Sequence, residues 1–329
     1  MNNIIQDSFG RVHNYLRISL TDNCNLRCFY CMPEENYTHA PHSGLMQIDE
    51  IEQLAKIFVN NGITKVRLTG GEPLVRKDAA AVIKVLSRLP VALSMTTNGI
   101  RIDDILPHII DAKFSSINVS LDTLQPEKFI QITHRNYFDR VWKNINLLLE
   151  NQIRTKLNVV VMKGLNDDEI LDFVELTKTM PVEVRFIEFM PFSGNRWTSN
   201  QVFTYNEMLN KINTAYSIQP LQPKINDTTK PYSVAGHKGS IAVISTMSAP
   251  FCAGCNRLRL TADGKLKNCL FSTAETDLLT TLRQDGDVLS LIQKNIRAKA
   301  KALGGQWTEN FEQINPDTLK NRSMIIIGG

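Results

Sequence analysis

Six cysteines fall into two groups of three near opposite ends of a 329-residue chain: Cys24, Cys28 and Cys31, then Cys252, Cys255 and Cys269. Scattered buried thiols would not cluster this way, and tight triplets make a poor disulfide framework in a reducing compartment, so metal ligation is the leading reading. A structural zinc takes four ligands, and neither triplet has a fourth Cys or His at ordinary spacing. His39 and His42 follow the first group, but isolated loop histidines are more often solvated. Three thiolates on a four-iron cubane leave one iron open to an exogenous ligand, which is a catalytic arrangement. A zinc or iron–sulfur scaffold protein without enzymatic activity is the alternative from a different class.

Between Cys255 and Cys269 stands Arg257-Leu258-Arg259. On a strand the two guanidiniums share a face, and such a pair suits phosphate through charge-assisted, often bidentate hydrogen bonds. A solvated hairpin face is the plain alternative.

The elements that must position these residues alternate in type. β-Branched runs at Tyr15–Thr21, Lys65–Thr69, Ala92–Thr96, Ser116–Leu121, Lys156–Met162 and Glu183–Phe189 predict strands. Helical patterns over Ile48–Asn60, Ala79–Leu86, Phe138–Asn151 and Asp167–Thr179 separate some of them. Asn166 and Glu169 have the form of a helix cap with its reciprocal acid. This rhythm implies parallel βαβ units of the α/β class, with ligands at the carboxyl ends of the strands; six strands favour a partial (βα)6-type barrel over a closed eightfold one. The first cysteine group directly follows the first strand. The pattern breaks after about Ala215, which divides the chain into a barrel (1–218) and a C-terminal region (219–329). There Gln219–Tyr232, with three prolines, reads as an exposed linker. A strand at Ser240–Ser245 follows, then strands Leu258–Thr261 and Lys265–Leu270 joined by Ala262-Asp263-Gly264, a hairpin signal that would bring Cys269 back beside Cys252 and Cys255. Helices are expected over Glu275–Gln284 and Val288–Leu303.

Apolar and charged residues make up 43% and 21% of the chain, as in ordinary globular domains. No apolar stretch reaches bilayer length and MNNIIQDSFG lacks the regions of a signal peptide, so a cytoplasmic location without membrane partners is expected. The net charge of +4 includes no basic block, which gives no case for nucleic acid.

Cys24-x3-Cys28-x2-Cys31, with Tyr30 immediately before the last cysteine, resembles the signature of the radical S-adenosylmethionine (SAM) superfamily. The resemblance implies that the open iron chelates SAM and that an electron cleaves SAM to a 5′-deoxyadenosyl radical. Gly70-Gly71-Glu72-Pro73 resembles the superfamily's GGEP motif, and Tyr30, Gly71, Ser120 and Met190 are the implied SAM contacts. The paired cysteine motifs, the Arg-Leu-Arg insert and a tail reading Arg322-x-Met324-x-x-Ile327-Gly328-Gly329 further resemble the GTP 3′,8-cyclase family, which opens molybdenum-cofactor biosynthesis. That likeness runs from Val12 onward. It implies two [4Fe-4S] clusters, the second binding the guanine of GTP. GTP contacts are implied at Arg17, Arg67, Thr97, Lys156, Arg257, Leu258 and Arg259, and catalytic roles for Arg17, Gly328 and Gly329. Implied partners are GTP, a downstream cyclic pyranopterin monophosphate synthase and an electron donor such as flavodoxin or ferredoxin; a homodimer is left open. A peptide-modifying radical SAM enzyme with an auxiliary cluster is the nearest alternative.

Overall fold

The computed structural model describes residues 5–31, 42–223, 226–307, 310–315 and 318–328; His39 and Gly329 lie outside these, as does the side chain of His42. Six strands, β1 (Tyr15–Ser19), β2 (Lys65–Thr69), β3 (Ala92–Thr97), β4 (Ser116–Ser120), β5 (Thr155–Val161) and β6 (Glu183–Glu188), pair in sequence order and in parallel. The connections between them carry helices α1 (Ile48–Asn60), α2 (Ala79–Leu86), α3 (Ile102–Asp111), α4 (Pro126–Thr133), α5 (Phe138–Glu150) and α6 (Ile170–Thr179). This is the expected partial barrel. Helix α7 (Tyr205–Asn213) follows, and its entry is fixed by Thr204, whose hydroxyl accepts from the Glu207 amide while the Glu207 carboxylate accepts from Thr204 N.

The C-terminal region adds strands to both edges of this sheet. β9 (Ser240–Ile244) pairs in parallel with β6, and β10 (Arg257–Leu260) pairs in parallel with β1. Antiparallel strands β7 (Ile218–Pro220) and β8 (Lys230–Val234) extend the first edge, β11 (Lys265–Lys267) and β12 (Thr276–Asp277) the second. Among the described residues, β9 and β10 do not pair with each other, so the sheet stays open. The chain ends in α8 (Leu278–Arg283), α9 (Val288–Arg297) and a short turn of helix, α10 (Met324–Ile327). No helix among the described residues is long and apolar enough to cross a membrane.

Period-two alternation decides what the barrel encloses. Leu16, Ile18, Val66, Leu68, Ile117, Val119, Val184 and Phe186 are fully buried in the main apolar core that the helices cover. The intervening positions carry Arg17, Arg67, Ser94, Asn118, Asn158, Arg185 and Arg259, so the interior is polar and cationic.

Three expectations are corrected. The proline-containing stretch 219–232 is not wholly a linker: its ends form β7 and β8, an edge hairpin in which Pro220 sits on the outermost strand, where a missing N–H costs least. Asn166 and Glu169 do not form a reciprocal cap. Asn166 Nδ2 donates instead to the carbonyls of Asp122 and Val160, and the Glu169 carboxylate accepts from Thr123 Oγ1 and Leu124 N, tying the β4 and β5 loops together. Finally, α9 stops at Arg297 instead of continuing to Leu303: the Arg297 carbonyl, which a continuing helix would offer to Lys301 N, accepts from Ser8 Oγ at 2.8 Å, and Leu303 adopts a left-handed φ of 47°.

The Asp263-Gly264 turn joins β10 to β11 as expected, with Gly264 at φ 71°. A Cβ there would stand 2.3 Å from Leu279 Cβ. Gly264→Ala is expected to lose about 3 kcal/mol of stability through strain and overpacking, readable in anaerobic chemical unfolding.

Candidate active site at the mouth of the barrel

All six cysteines line a single cavity at the carboxyl ends of the strands. The first three lie in the loop leaving β1. The second three flank β10, which is hydrogen-bonded to β1 on the other side from β2. Adjacency of β10 and β1 is thus what brings triplets over two hundred residues apart into one chamber. None of the six is in a disulfide.

The first loop is anchored by the Gly-Gly-Glu block. Gly71 N donates to Thr21 O at 2.7 Å, and Glu72 N to Asn23 O at 2.8 Å. A Cβ at Gly71 would come 2.4 Å from Asn23 O, so no larger residue fits this approach. The Glu72 carboxylate accepts from Thr97 Oγ1, Asn98 N and Leu74 N, binding the β2 and β3 loops to each other; burial still pushes its carboxyl up to about 7. Tyr30 Oη donates to Asp122 Oδ2 at 2.5 Å, and the other oxygen of Asp122 accepts from Val160 N. Burial pushes the Asp122 carboxyl up to about 6. Ser120, Met190 and Gly71 line the same cavity as Tyr30.

The thiols respond differently in the two groups. Burial pushes Cys24 up to about 11 and Cys31 up to about 12, and the neighbouring thiols drive Cys28 and Cys31 in the same direction. At Cys255 burial is outweighed by Arg257 and Lys299, which draw the thiol down to about 6. Among the described residues no three Cys, His, Asp or Glu side chains gather as one metal ion requires; a cubane instead assigns each thiolate its own iron. The donor set of soft sulfurs alone, in two groups, fits iron–sulfur clusters. Three buried polar atoms on the cavity wall have no protein partner: Arg17 Nε, Asn118 Oδ1 and Asn158 Oδ1. Unsatisfied groups of this kind fit a polar ligand.

Of the implied GTP contacts, Arg17, Thr97, Arg257 and Arg259 line the cavity. Burial pushes the Arg17 guanidinium down to about 10, and burial together with Arg17 and Arg257 holds Arg259 well below its usual value. Arg67 lies deeper. It donates to Tyr15 Oη and, at 3.1 Å, to Thr96 Oγ1. Lys156 is also outside the cavity lining, paired with Glu183 at 3.0 Å. Leu258 points to the helix layer and is fully buried there, so only its backbone faces the site. Gly328 reaches the barrel mouth: its carbonyl accepts from Arg259 Nη1, and a Cβ on it would clash with Thr69 Oγ1 at 2.5 Å. The tail is held by Arg322 on Asp263 and Glu275, and by burial of Ile325 and Ile327.

Sequence reasoning missed Arg185, which lines the same cavity as Arg17. Its signal was available, since Glu183 and Arg185 alternate on β6 as Arg257 and Arg259 do on β10. Burial would raise the Glu183 carboxyl, but Arg185 at 2.5 Å and Lys156 pull it down to about 2.

Comparison with known proteins matches residues 18–177 to the radical SAM superfamily and residues 182–304 to the Molybdenum Cofactor Synthesis C family. The chain is 40% identical to the GTP 3′,8-cyclase of Alkaliphilus metalliredigens, over 99% of this chain and all of that protein. It is 44% identical to the mitochondrial GTP 3′,8-cyclase of Arabidopsis thaliana, over 100% and 84%. It is likewise 44% identical to mouse molybdenum cofactor biosynthesis protein 1, over 98% of this chain and 51% of that one, so the chain spans about half the length of the animal relatives it matches. Among solved structures, Streptococcus suis SuiB bound to S-adenosylmethionine superposes with a TM-score of 0.64 at 14% identity, over 94% of this chain and 77% of that one, which supports the fold.

Glu183→Gln removes the carboxylate that pairs with both Lys156 and Arg185 and is expected to cost about 3 kcal/mol at pH 7. The folded carboxyl lies below its unfolded value of 4.5, so this contribution is present above pH 4.5 and is lost as pH falls toward 2. Urea unfolding should therefore show the wild-type advantage narrowing over that window.

Proposed function

The chain belongs to the GTP 3′,8-cyclase family of radical SAM proteins, and from that premise we propose that it converts GTP to (8S)-3′,8-cyclo-7,8-dihydroguanosine 5′-triphosphate, the first step of molybdenum-cofactor biosynthesis. The observation that carries this reading is the single cavity in which both cysteine triplets face Arg17, Arg257 and Arg259. Cys24, Cys28 and Cys31 hold the [4Fe-4S] cluster that binds SAM; Cys252, Cys255 and Cys269, in the region after residue 219, hold a second that takes the guanine. When bound, the reduced first cluster and SAM supply the 5′-deoxyadenosyl radical that removes hydrogen from C3′ of GTP.

The chain's own residues position and enclose. Tyr30, Gly71, Ser120 and Met190 cradle SAM at the β1 to β6 exits, with Tyr30 fixed by Asp122. Arg17, Arg257 and Arg259 bind the triphosphate through charge-assisted bonds, joined by Arg185 across the barrel. Arg67 supports Arg17 from below through Tyr15, whose ring both guanidiniums approach, at 5.9 and 5.7 Å. Lys156 acts one layer deeper by setting Glu183 and so Arg185. The tail through Gly328, held on Arg259, closes the mouth and keeps water from the substrate, the positioning that such chemistry demands of a protein. A cytoplasmic protein with a flavodoxin or ferredoxin as electron source and a cyclic pyranopterin monophosphate synthase as consumer completes the proposal.

Anaerobic incubation with SAM, GTP and dithionite should give 5′-deoxyadenosine and a cyclised product with the mass of GTP. SAM cleavage without GTP consumption would overturn the cyclase reading and leave the superfamily membership intact. The double variant Arg257→Ala, Arg259→Ala is expected to weaken GTP binding by at least about a hundredfold, from two lost charge-assisted bonds of roughly 1.5–3 kcal/mol each, while uncoupled SAM cleavage persists. Unchanged GTP affinity in equilibrium dialysis would remove both arginines from the site.

A further inference from the structure

Lys299 lies two residues beyond the end of α9 and is 4% exposed. Its ammonium donates to Cys255 Sγ at 3.5 Å and to the Arg257 carbonyl at 3.2 Å. Among the described residues no carboxylate pairs with it, and the negative groups that act on it are the thiols of Cys255 and Cys269. A buried ammonium without a counter-charge is strongly disfavoured. The neighbouring cation shows the contrast. Arg11 also reaches this loop, donating to the Cys252 carbonyl at 3.0 Å, but its charge is met by Asp7 at 2.5 Å. Lys299 has no such acid; its charge is aimed at sulfur.

Among the described residues no cation donates to a sulfur of the first cysteine group; Arg27 reaches the Cys24 carbonyl instead. Cys24 Sγ accepts from Leu26 N at 3.4 Å and from Asn98 Nδ2 at 3.8 Å, and both donors are neutral. In the second group Cys252 Sγ accepts from Leu303 N at 3.4 Å, while Cys255 Sγ accepts from the Lys299 ammonium at 3.5 Å and from Arg257 Nη2 at 3.9 Å, Lys299 being the nearer of the two cations. A cation touching a ligand sulfur favours the reduced, more negative form of a cluster, and hydrogen bonds to sulfur act in the same sense.

We propose that Lys299 is a positioning residue of the second cysteine group, supplying the counter-charge of the anionic cluster bound there and holding that cluster's reduction potential up. The inference rests on the reading that Cys252, Cys255 and Cys269 carry a cluster. It follows that the two centres differ in potential, because among the described residues the second has cations donating to a ligand sulfur and the first has none.

The test is a redox titration followed by electron paramagnetic resonance, with iron counting, on the reconstituted full chain. The variants are Lys299→Met, Lys299→Gln and Lys299→Arg. Lys299→Met and Lys299→Gln should shift the midpoint of the auxiliary signal to more negative potential, leave the SAM-responsive signal where it is, and Lys299→Arg should restore the wild-type value. Loss of about half the iron in both neutral variants, with retention in Lys299→Arg, is the same counter-charge expressed as cluster retention and supports the proposal. Unchanged midpoints at full iron in the neutral variants overturn it, as does equal iron loss in Lys299→Arg, which marks a packing role. A wild-type chain holding only about four irons would instead overturn the two-cluster reading, an outcome distinct from failure of Lys299.

Discussion

Buried positive charge inside an open barrel is the constraint on which the remaining structure turns. Arg17, Lys65, Arg67, Arg185, Arg257 and Arg259 converge there, and burial together with neighbouring cations lowers Arg17, Lys65, Arg185 and Arg259 from their ordinary values. The protein supplies little to offset them. Glu183 stays ionised because Arg185 and Lys156 flank it. Tyr15 shows the same field: burial would raise its hydroxyl, yet Arg67, Arg17 and Lys65 draw it down to about 7. Glu183, Tyr15 and Asp227 against so many cations leave an electrostatic deficit, and a polyanion is the natural complement. Unpartnered Arg17 Nε is the local form of that deficit.

The mouth of the barrel is ordered by loops that fix one another. Glu72 takes hydrogen bonds from the end of β3, Gly71 is seated on the cysteine loop, and Ile325 of the tail packs where a Gly71 side chain would be. The tail in turn hangs on Arg322 and Asp263, a residue of the β10–β11 turn. The SAM end and the arginine end therefore share supports, and a change in either is transmitted through main-chain contacts that allow little slack.

Much of this was legible in the sequence because it is local. Cysteine spacing names the ligands, and period-two alternation names the faces of β1, β2 and β10. What sequence periodicity omits is the partner across space. Asn166 and Glu169 have the spacing of a cap, but the polar groups of the β4 loop were better partners than the helix amides. Gln219–Tyr232 looked unstructured because its prolines argue against a central strand, and an edge strand tolerates them. Lys299 sits just beyond the end of α9, in a segment whose carbonyls at Ala300 and Lys301 are held by Arg11 from the other end of the chain. No window of sequence contains both residues.

The pairing of β1 with β10 shows why so distant a pair of motifs can be read together. Arg17 stands opposite Arg259 in that ladder, and Tyr15 opposite Arg257. Sliding β10 by one residue would exchange Leu258 for the two arginines, placing leucine in the cavity and two guanidiniums in the apolar core. Burying two unpaired charges there is far costlier than any gain the slip could offer. The register is therefore fixed by the same alternation that supplies the anion site. With it is fixed the placement of Cys252 and Cys255 against the loop that begins four residues beyond β1, at Asn23.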